Sequence, residues 1–206
     1  GGRPPHRRAG GSRPPARGAG VNGNPSRSLR VHGITGTNGK TTTSYVLYNL
    51  LAGVLGTDKV GLSTTVEVIV DGVGRPAMRT TPEAPLVQEN LRRMVEAGAS
   101  DAVLVTSSHG LELHRVTGVE YASAIFTNLT RDHLDIHGDM ETYFQVKRQL
   151  FERTSGPRLA NVDDTYGRRL AREFPGALTF GFDEAADYRI VEPTDLTLEG
   201  MQFTLD

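Results

Sequence analysis

The stretch SLRVHGITGTNGKTTTSYVLYNLLAGV, residues 28–54, decides the fold. It opens on a short apolar run that predicts a strand over 29–32. A glycine-rich turn follows, and then a helix on which Tyr45, Val46, Leu50 and Leu51 are expected to share one face. Backbone N–H groups of such a turn can converge on phosphate oxygens, and the helix N-terminus adds its dipole. Lys40 supplies a cation for the β- and γ-phosphates, and Thr41 a hydroxyl for a magnesium ion. The candidate nucleotide-binding residues are therefore Gly36, Thr37, Asn38, Gly39, Lys40, Thr41 and Thr42. The spacing differs from the general G-x-x-x-x-G-K-[ST] pattern, whose first glycine would fall at Ile34; this chain has Gly33 and Gly36 instead. A bare glycine-rich turn with a solvated lysine is the alternative, and it leaves the flanking strand and helix without a reason.

The rest of the chain continues the alternation. STTVEVIVDG, from Ser63, reads as an extended segment closed by an Asp71-Gly72 turn. TTPEAPLVQENLRRMVEAG predicts a helix with Thr81 as N-cap, Pro82 at its first position and Gly98 just past its end. DAVLVTSS and YASAIFTNL read as buried strands with polar residues at their C-terminal ends. METYFQVKRQLFERT predicts a helix, RLANVDD a strand, 166–173 a helix and ALTFGF a strand, and residues 188–206 look β-rich. The expected fold is α/β, a doubly wound, mostly parallel sheet whose ligands sit beyond the strand C-termini.

Composition narrows the function. Residues 1–30 hold seven Arg, no Asp or Glu and many Gly and Pro, so residues 1–29 are expected to be a disordered tail. Removing those seven charges from the formal net charge of -1 leaves -8 on residues 31–206. An acidic domain is a poor nucleic-acid binder, and no partner of that kind is expected. The absence of cysteine excludes disulfides and thiolate zinc sites and fits a cytoplasmic protein. No apolar run approaches the ~18 residues of a membrane span.

A second polar constellation, TNLTRDHLDIHGDMETYFQVKRQLF, places His133 among Asp132, Asp135, His137 and Asp139. These types suit magnesium and nucleotide contacts. From the residues alone, a polar loop with helix-capping side chains fits equally well.

The segments GITGTNGKTTT, TTPEA, SSHGLELHRV, FTNLTRDHLDIHGDMETYFQVKRQLF and NVDD together resemble the Mur ligases of peptidoglycan synthesis. Their order and spacing most resemble the MurE type, which adds the third amino acid to UDP-N-acetylmuramoyl-L-alanyl-D-glutamate. SSHGLELHRV with DHLDIHGDMETY sets the chain apart from folylpolyglutamate and cyanophycin synthetases, which share the phosphate loop. The resemblance covers residues 30–206 and implies the central ATP-binding domain, incomplete at its C-terminal end.

What the resemblance implies can be placed residue by residue. ATP and Mg2+ would be cofactors. Lys40 and Thr41 would bind phosphates and metal, and His133 would be a magnesium ligand. Lys147 matches the family lysine that carbon dioxide carbamylates, giving a carboxylate-like group that positions a second magnesium. Catalysis would thus rest on Lys40, Lys147 and His133. Thr80, Thr81, Ser107 and Arg115 match positions that hold the UDP-muramoyl dipeptide, with His109 close by in the same loop as a further substrate residue, and a diamino acid would be the second substrate. The substrate carboxylate would attack the γ-phosphate of ATP, and the amine would then displace phosphate from the acyl phosphate.

Two departures stand out. Where the family has Glu-Val-Ser-Ser-His, this chain has Val105-Thr106-Ser107-Ser108-His109, so valine replaces a magnesium-binding glutamate. Thr106 is expected to face the other way, and Glu112 is not expected to substitute for that glutamate. The family's N-terminal UDP-sugar domain and C-terminal domain have no counterpart among these residues, which implies weak nucleotide binding, little ligation by this chain alone, and a partner supplying those domains. A non-catalytic nucleotide-binding module is the alternative function.

Overall fold

The computed structural model describes residues 23–132 and 137–191, together with the backbone of 195–196 and 201–202. Strand β1 (Arg30–Thr35) leads into helix α1 (Lys40–Leu55), then β2 (Val60–Ser63), β3 (Glu67–Val70), β4 (Val73–Pro76) and α2 (Ala84–Glu96). Next come β5 (Asp101–Val105), the short α3 (Ser108–Glu112), β6 (Tyr121–Phe126), α4 (Met140–Glu152), β7 (Arg158–Asn161), α5 (Thr165–Glu173), β8 (Leu178–Gly181) and β9 (Tyr188–Arg189). Two further strands, β10 (Asp195–Leu196) and β11 (Met201–Gln202), form a separate antiparallel pair. The main sheet has the order β4-β3-β2-β5-β1-β6-β7-β8-β9. Its pairs are parallel except the β2–β3–β4 meander, whose Asp71-Gly72 turn holds both residues at positive φ, 53° and 69°. The expected doubly wound, mostly parallel sheet is the observed one.

Each face of the sheet has its own core. On one face, Ile34, Val60, Leu62, Ile69 and Val103 pack against α1 through Tyr48. On the other, Val31, Leu104 and Phe126 pack against Val87 and Leu91 of α2, Phe144 and Leu150 of α4 and Leu170 of α5. Register then sets the site. Ile34 lies opposite Val105 and Thr35 opposite Phe126, so the C-terminal ends of β5, β1 and β6 finish side by side. Strand order reverses around β1, and the crevice beyond those three ends is where a sheet of this kind takes its ligand.

Three expectations need correction. The apolar residues of α1 do not share a face: Ser44 and Tyr48 are buried with Leu47, Leu51 and Tyr45 beside them, whereas Val46 and Leu50 are 55% and 64% exposed. Four-residue spacing puts 44 and 48 on the sheet side and 46, 50 and 54 on the other. Helix α2 starts at Ala84, with Glu83 at its N-cap and a proline in its first turn, rather than at Thr81 and Pro82. The Thr81 hydroxyl is engaged elsewhere, as described below.

The fold also begins before Arg30. Pro25–Arg27 form one 3-10 turn. Ser26 Oγ accepts the Glu120 N–H at 3.1 Å, Arg27 pairs with Glu120, and Leu29 is buried in the α2-side core. The part of the expected tail over 1–22 lies outside the described residues. Leu29→Ala should therefore destabilise the chain by about 2–5 kcal/mol, read as a lower urea midpoint with unchanged slope, whereas the exposed Arg27→Ala should leave the midpoint in place. An unchanged midpoint for Leu29→Ala would return residues 23–29 to the tail.

Candidate active site

The loop between β1 and α1 is held by β6 and the segment after it. Thr37 N–H donates to the Asn128 carbonyl at 2.9 Å and Asn38 N–H to Asn128 Oδ1 at 3.0 Å. Thr127 Oγ1 donates to the Asn38 carbonyl at 2.7 Å, and Thr37 Oγ1 accepts the Thr130 N–H at 3.0 Å. Gly36 is required by this approach: at φ 148° a Cβ would fall 1.9 Å from Thr127 Oγ1. Gly39, at φ 82°, turns the chain into α1. The first-turn N–H groups of α1, from Lys40 onward, have no carbonyl of their own helix to bond and face the crevice with the positive end of the helix dipole.

Two lysines meet at this loop. Lys40 Nζ donates to the carbonyls of Gly36 (3.0 Å) and Thr37 (2.6 Å). Lys147, one turn after Tyr143 on α4, is buried and donates to the same Gly36 carbonyl at 2.8 Å. Burial lowers the pKa of Lys40, with Asp132 opposing the shift. Burial holds Lys147 well below the ordinary lysine value; the charge on Lys40 pushes it the same way and Asp132 opposes. Lys147 is thus biased toward the neutral amine, a state its sequence position in an amphipathic helix does not reveal. Thr41 Oγ1 lies 3.4 Å from Thr65 Oγ1 at the mouth of the loop, and Thr42 lines the outer side with Tyr45.

A cleft of about 320 Å³ runs from the lysines across the end of β5. Thr80, Thr81, Ser107, His109 and Arg115 all line it with Lys40 and Lys147. Thr81 is the hinge of this arrangement. Its hydroxyl donates to the Val105 carbonyl at 3.0 Å and accepts from the Ser107 N–H (3.1 Å) and Ser107 Oγ (2.9 Å). Arg115 donates to the Thr81 carbonyl at 2.9 Å. These bonds clamp TTPEA to the end of β5, which is why Thr81 is not free to cap α2. Arg79, Arg115 and Lys40 give the cleft a cationic wall suited to an anionic ligand, and Glu83 lies between the arginines at 2.8 and 3.3 Å.

The second constellation divides. His133 and Asp135 lie outside the described residues. Asp132 acts electrostatically on both lysines, so it belongs to the crevice. Asp139 is a helix cap, accepting the Thr142 N–H at 2.7 Å. His137 is buried, stacked on Tyr143 with ring centroids 4.7 Å apart and bonded through Nε2 to Ser108 Oγ at 3.1 Å. The capping alternative therefore holds for Asp139, whereas His137 is a buried, stacked side chain rather than a cap. Glu112 faces His137 Nδ1 at 3.4 Å.

Val105 is fully buried. Alternation along β5 places Val103 in the α1-side core and Leu104 in the other, so Val105 points toward α1 and the base of the phosphate loop. Thr106 turns to the opposite face as expected, its hydroxyl 3.0 Å from that of Tyr121.

A family model described as the Mur ligase middle domain matches residues 34–205. The chain belongs to the Mur ligase family. It is 45% identical over 177 residues to UDP-N-acetylmuramoyl-L-alanyl-D-glutamate--2,6-diaminopimelate ligase of Gloeobacter violaceus, covering 84% of this chain and 35% of that protein. It is 47% identical over 163 residues to UDP-N-acetylmuramyl-tripeptide synthetase of Deinococcus radiodurans, covering 78% and 33%. A solved structure of a UDP-N-acetylmuramoyl-L-alanyl-D-glutamate--2,6-diaminopimelate ligase superposes with TM-score 0.73 at 33% identity, over 86% of this chain and 37% of that one. The chain thus spans about a third of the length of the curated relatives it matches.

Within this Mur ligase middle domain the sequence reading missed several residues. Asn128 and Thr127 prop the loop from a strand 90 residues away, and only the β1–β6 pairing brings them there. Tyr143 and Ser108 also line the cleft; the first reads as a core aromatic of an amphipathic helix and the second as a loop hydroxyl.

Proposed function

We propose that this domain is the ATP-handling part of a ligase that adds the third amino acid, a diamino acid, to UDP-N-acetylmuramoyl-L-alanyl-D-glutamate. One observation carries the reading: Lys40 at the end of the phosphate loop, Lys147 of α4 beside it, and Thr81, Ser107 and Arg115 of the acceptor wall line a single cleft. An acyl acceptor and the γ-phosphate must meet for transfer, and this cleft is where they would meet. The phosphate loop residues 36–42 cradle ATP, with Lys40 leaving the Gly36 and Thr37 carbonyls for the β- and γ-phosphates. Thr80, Thr81, Ser107, His109 and Arg115 hold the dipeptide, its carboxylate turned toward Lys40. The carboxylate attacks the γ-phosphorus and ADP leaves; the amine then displaces phosphate through a tetrahedral intermediate. Lys40 and the loop amides offset the charge gathered in the first step, so the protein's part is positioning and electrostatics.

Magnesium would be held by Thr41, by His133 and by carbamylated Lys147. The donor set fits in part: Thr41 stands at the loop mouth and Lys147 is the desolvated amine that carbamylation requires, whereas Val105 offers no oxygen where the family has a glutamate. When bound, the metal would neutralise phosphate charge. The cell compartment is the cytoplasm, where these nucleotide substrates occur; among the described residues no helix is long and apolar enough to cross a membrane.

In a phosphate-release assay with ATP, UDP-muramoyl dipeptide and a panel of diamino acids, the unaltered chain should turn over weakly. Val105→Glu should raise the rate, on the order of the 10–100-fold that a ligand-shell change brings to a metal site, and Lys40→Ala should abolish it. Release that survives Lys40→Ala would refute the assignment. Lys147 can be followed apart from turnover. Its amine must be neutral to react with carbon dioxide, and its pKa is depressed below the ~10.4 of ordinary lysine. A 13C-carbamate resonance should therefore form from labelled bicarbonate at neutral pH, fade as pH falls, and be absent from Lys147→Arg. An equal resonance in that variant would remove Lys147 from the metal set.

A further inference from the structure

A line of buried polar groups joins the phosphate loop to the acceptor wall. Thr37 Oγ1 stands 3.4 Å from the Tyr143 hydroxyl. From the Tyr143 ring the line passes through His137 to Ser108, the first residue of α3 and the neighbour of Ser107 and His109. Ser108 Oγ in turn meets His137 Nε2 at 3.1 Å, and the His137 ring lies stacked on Tyr143. Glu112, at the other end of α3, faces His137 Nδ1 at 3.4 Å. Thr37, Ser108, His137 and Tyr143 are all buried, Tyr143 to 1% exposure.

Such a line costs desolvation that plain packing of apolar side chains would avoid, and each member depends on its neighbour for satisfaction. It also has a fixed base. Tyr143 and Lys147 are one turn apart on α4, and Lys147 Nζ lies 4.6 Å over the Tyr143 ring while bonding the Gly36 carbonyl. A change in the path of Gly36 and Thr37 therefore reaches Tyr143 from two sides, through the Thr37 hydroxyl and through Lys147. From Tyr143 the next contact is the stacked His137, which bonds Ser108 Oγ, and Ser107 caps the same short helix by accepting the Gly110 N–H at 3.1 Å.

We propose that Tyr143 is a positioning residue that couples occupancy of the phosphate loop to the setting of residues 107–112, so that the acceptor wall is ordered when nucleotide is bound. The inference rests on the nucleotide-binding reading given above. By linkage the coupling is reciprocal, and an acceptor bound at 107–112 favours nucleotide by the same factor. The phenol oxygen takes it up from Thr37, and the ring passes it through the stacked His137 to Ser108.

Hydrogen exchange of the full chain, with and without the magnesium salt of a non-hydrolysable ATP analogue, tests this. In the unaltered chain the analogue should slow exchange at 36–41 and also at 107–112, the latter by about fivefold or more, the lower end of measured site-to-site couplings. Tyr143→Phe keeps the ring, and should keep the protection at 36–41 while losing it at 107–112; Ser108→Ala should do the same. A thermal midpoint for Tyr143→Phe close to that of the unaltered chain separates loss of coupling from loss of fold. Protection at 107–112 that persists in Tyr143→Phe, or that is absent from the unaltered chain while 36–41 is protected, overturns the proposal. No protection at 36–41 in the unaltered chain overturns the nucleotide reading itself, and this proposal with it.

Discussion

The carbonyl oxygen of Gly36 receives two lysine Nζ donors, from Lys40 at 3.0 Å and Lys147 at 2.8 Å. The site depends on that convergence. It fixes the tip of β1, places one lysine from α1 and one from α4 against the same backbone atom, and requires a residue without a Cβ, because Thr127 occupies the space a side chain would need. Burial disfavours the protonated state of the more enclosed Lys147, and the charge on Lys40 beside it pushes the same way. One backbone oxygen thus links the geometry of the phosphate loop to the chemical state of a lysine more than 100 residues away.

The strand, loop and helix of residues 28–54 were legible because their signal is local: an apolar run, closely spaced glycines, and a lysine at the helix start. The parallel sheet was legible for a similar reason, since apolar runs with polar C-terminal ends fit strands buried on both faces. The start of α2 was misread because Thr81 and Pro82 have good helix-start chemistry, yet the Thr81 hydroxyl satisfies three groups at the end of β5 instead. The facing of α1 was misread because its apolar residues nearly encircle the helix, and only contact with the sheet decides which are covered. The N-terminal boundary was set late because residues 25–29 share the tail's composition, although Leu29 belongs to the core.

At the site, Lys40 was legible from the glycine-rich turn itself, Thr81, Ser107 and Arg115 were found through resemblance, and the cleft brings them together. The meaning of Lys147 needed the fold, since an amphipathic helix presents lysines to water far more often than to a carbonyl in the interior. Asn128, Thr127 and Tyr143 carried no sequence signal of their own; their roles come from the β1–β6 pairing and from the packing of α4 on α3. Val105 was legible as a departure, and the strand alternation gives it physical force: the side chain points toward α1 and the phosphate loop, where a carboxylate could reach a metal and an isopropyl group cannot.

The central claim is that the loop of residues 36–42 is a phosphate site whose lysine is parked on its own backbone. A crystal structure of the chain with magnesium and a non-hydrolysable ATP analogue tests it most directly. The account predicts the β- and γ-phosphates on the backbone amides at the start of α1, with Lys40 Nζ moved from the Gly36 and Thr37 carbonyls onto phosphate oxygen while Lys147 remains beside Gly36. Nucleotide bound away from this loop, or bound there with Lys40 Nζ still on those carbonyls, would contradict it.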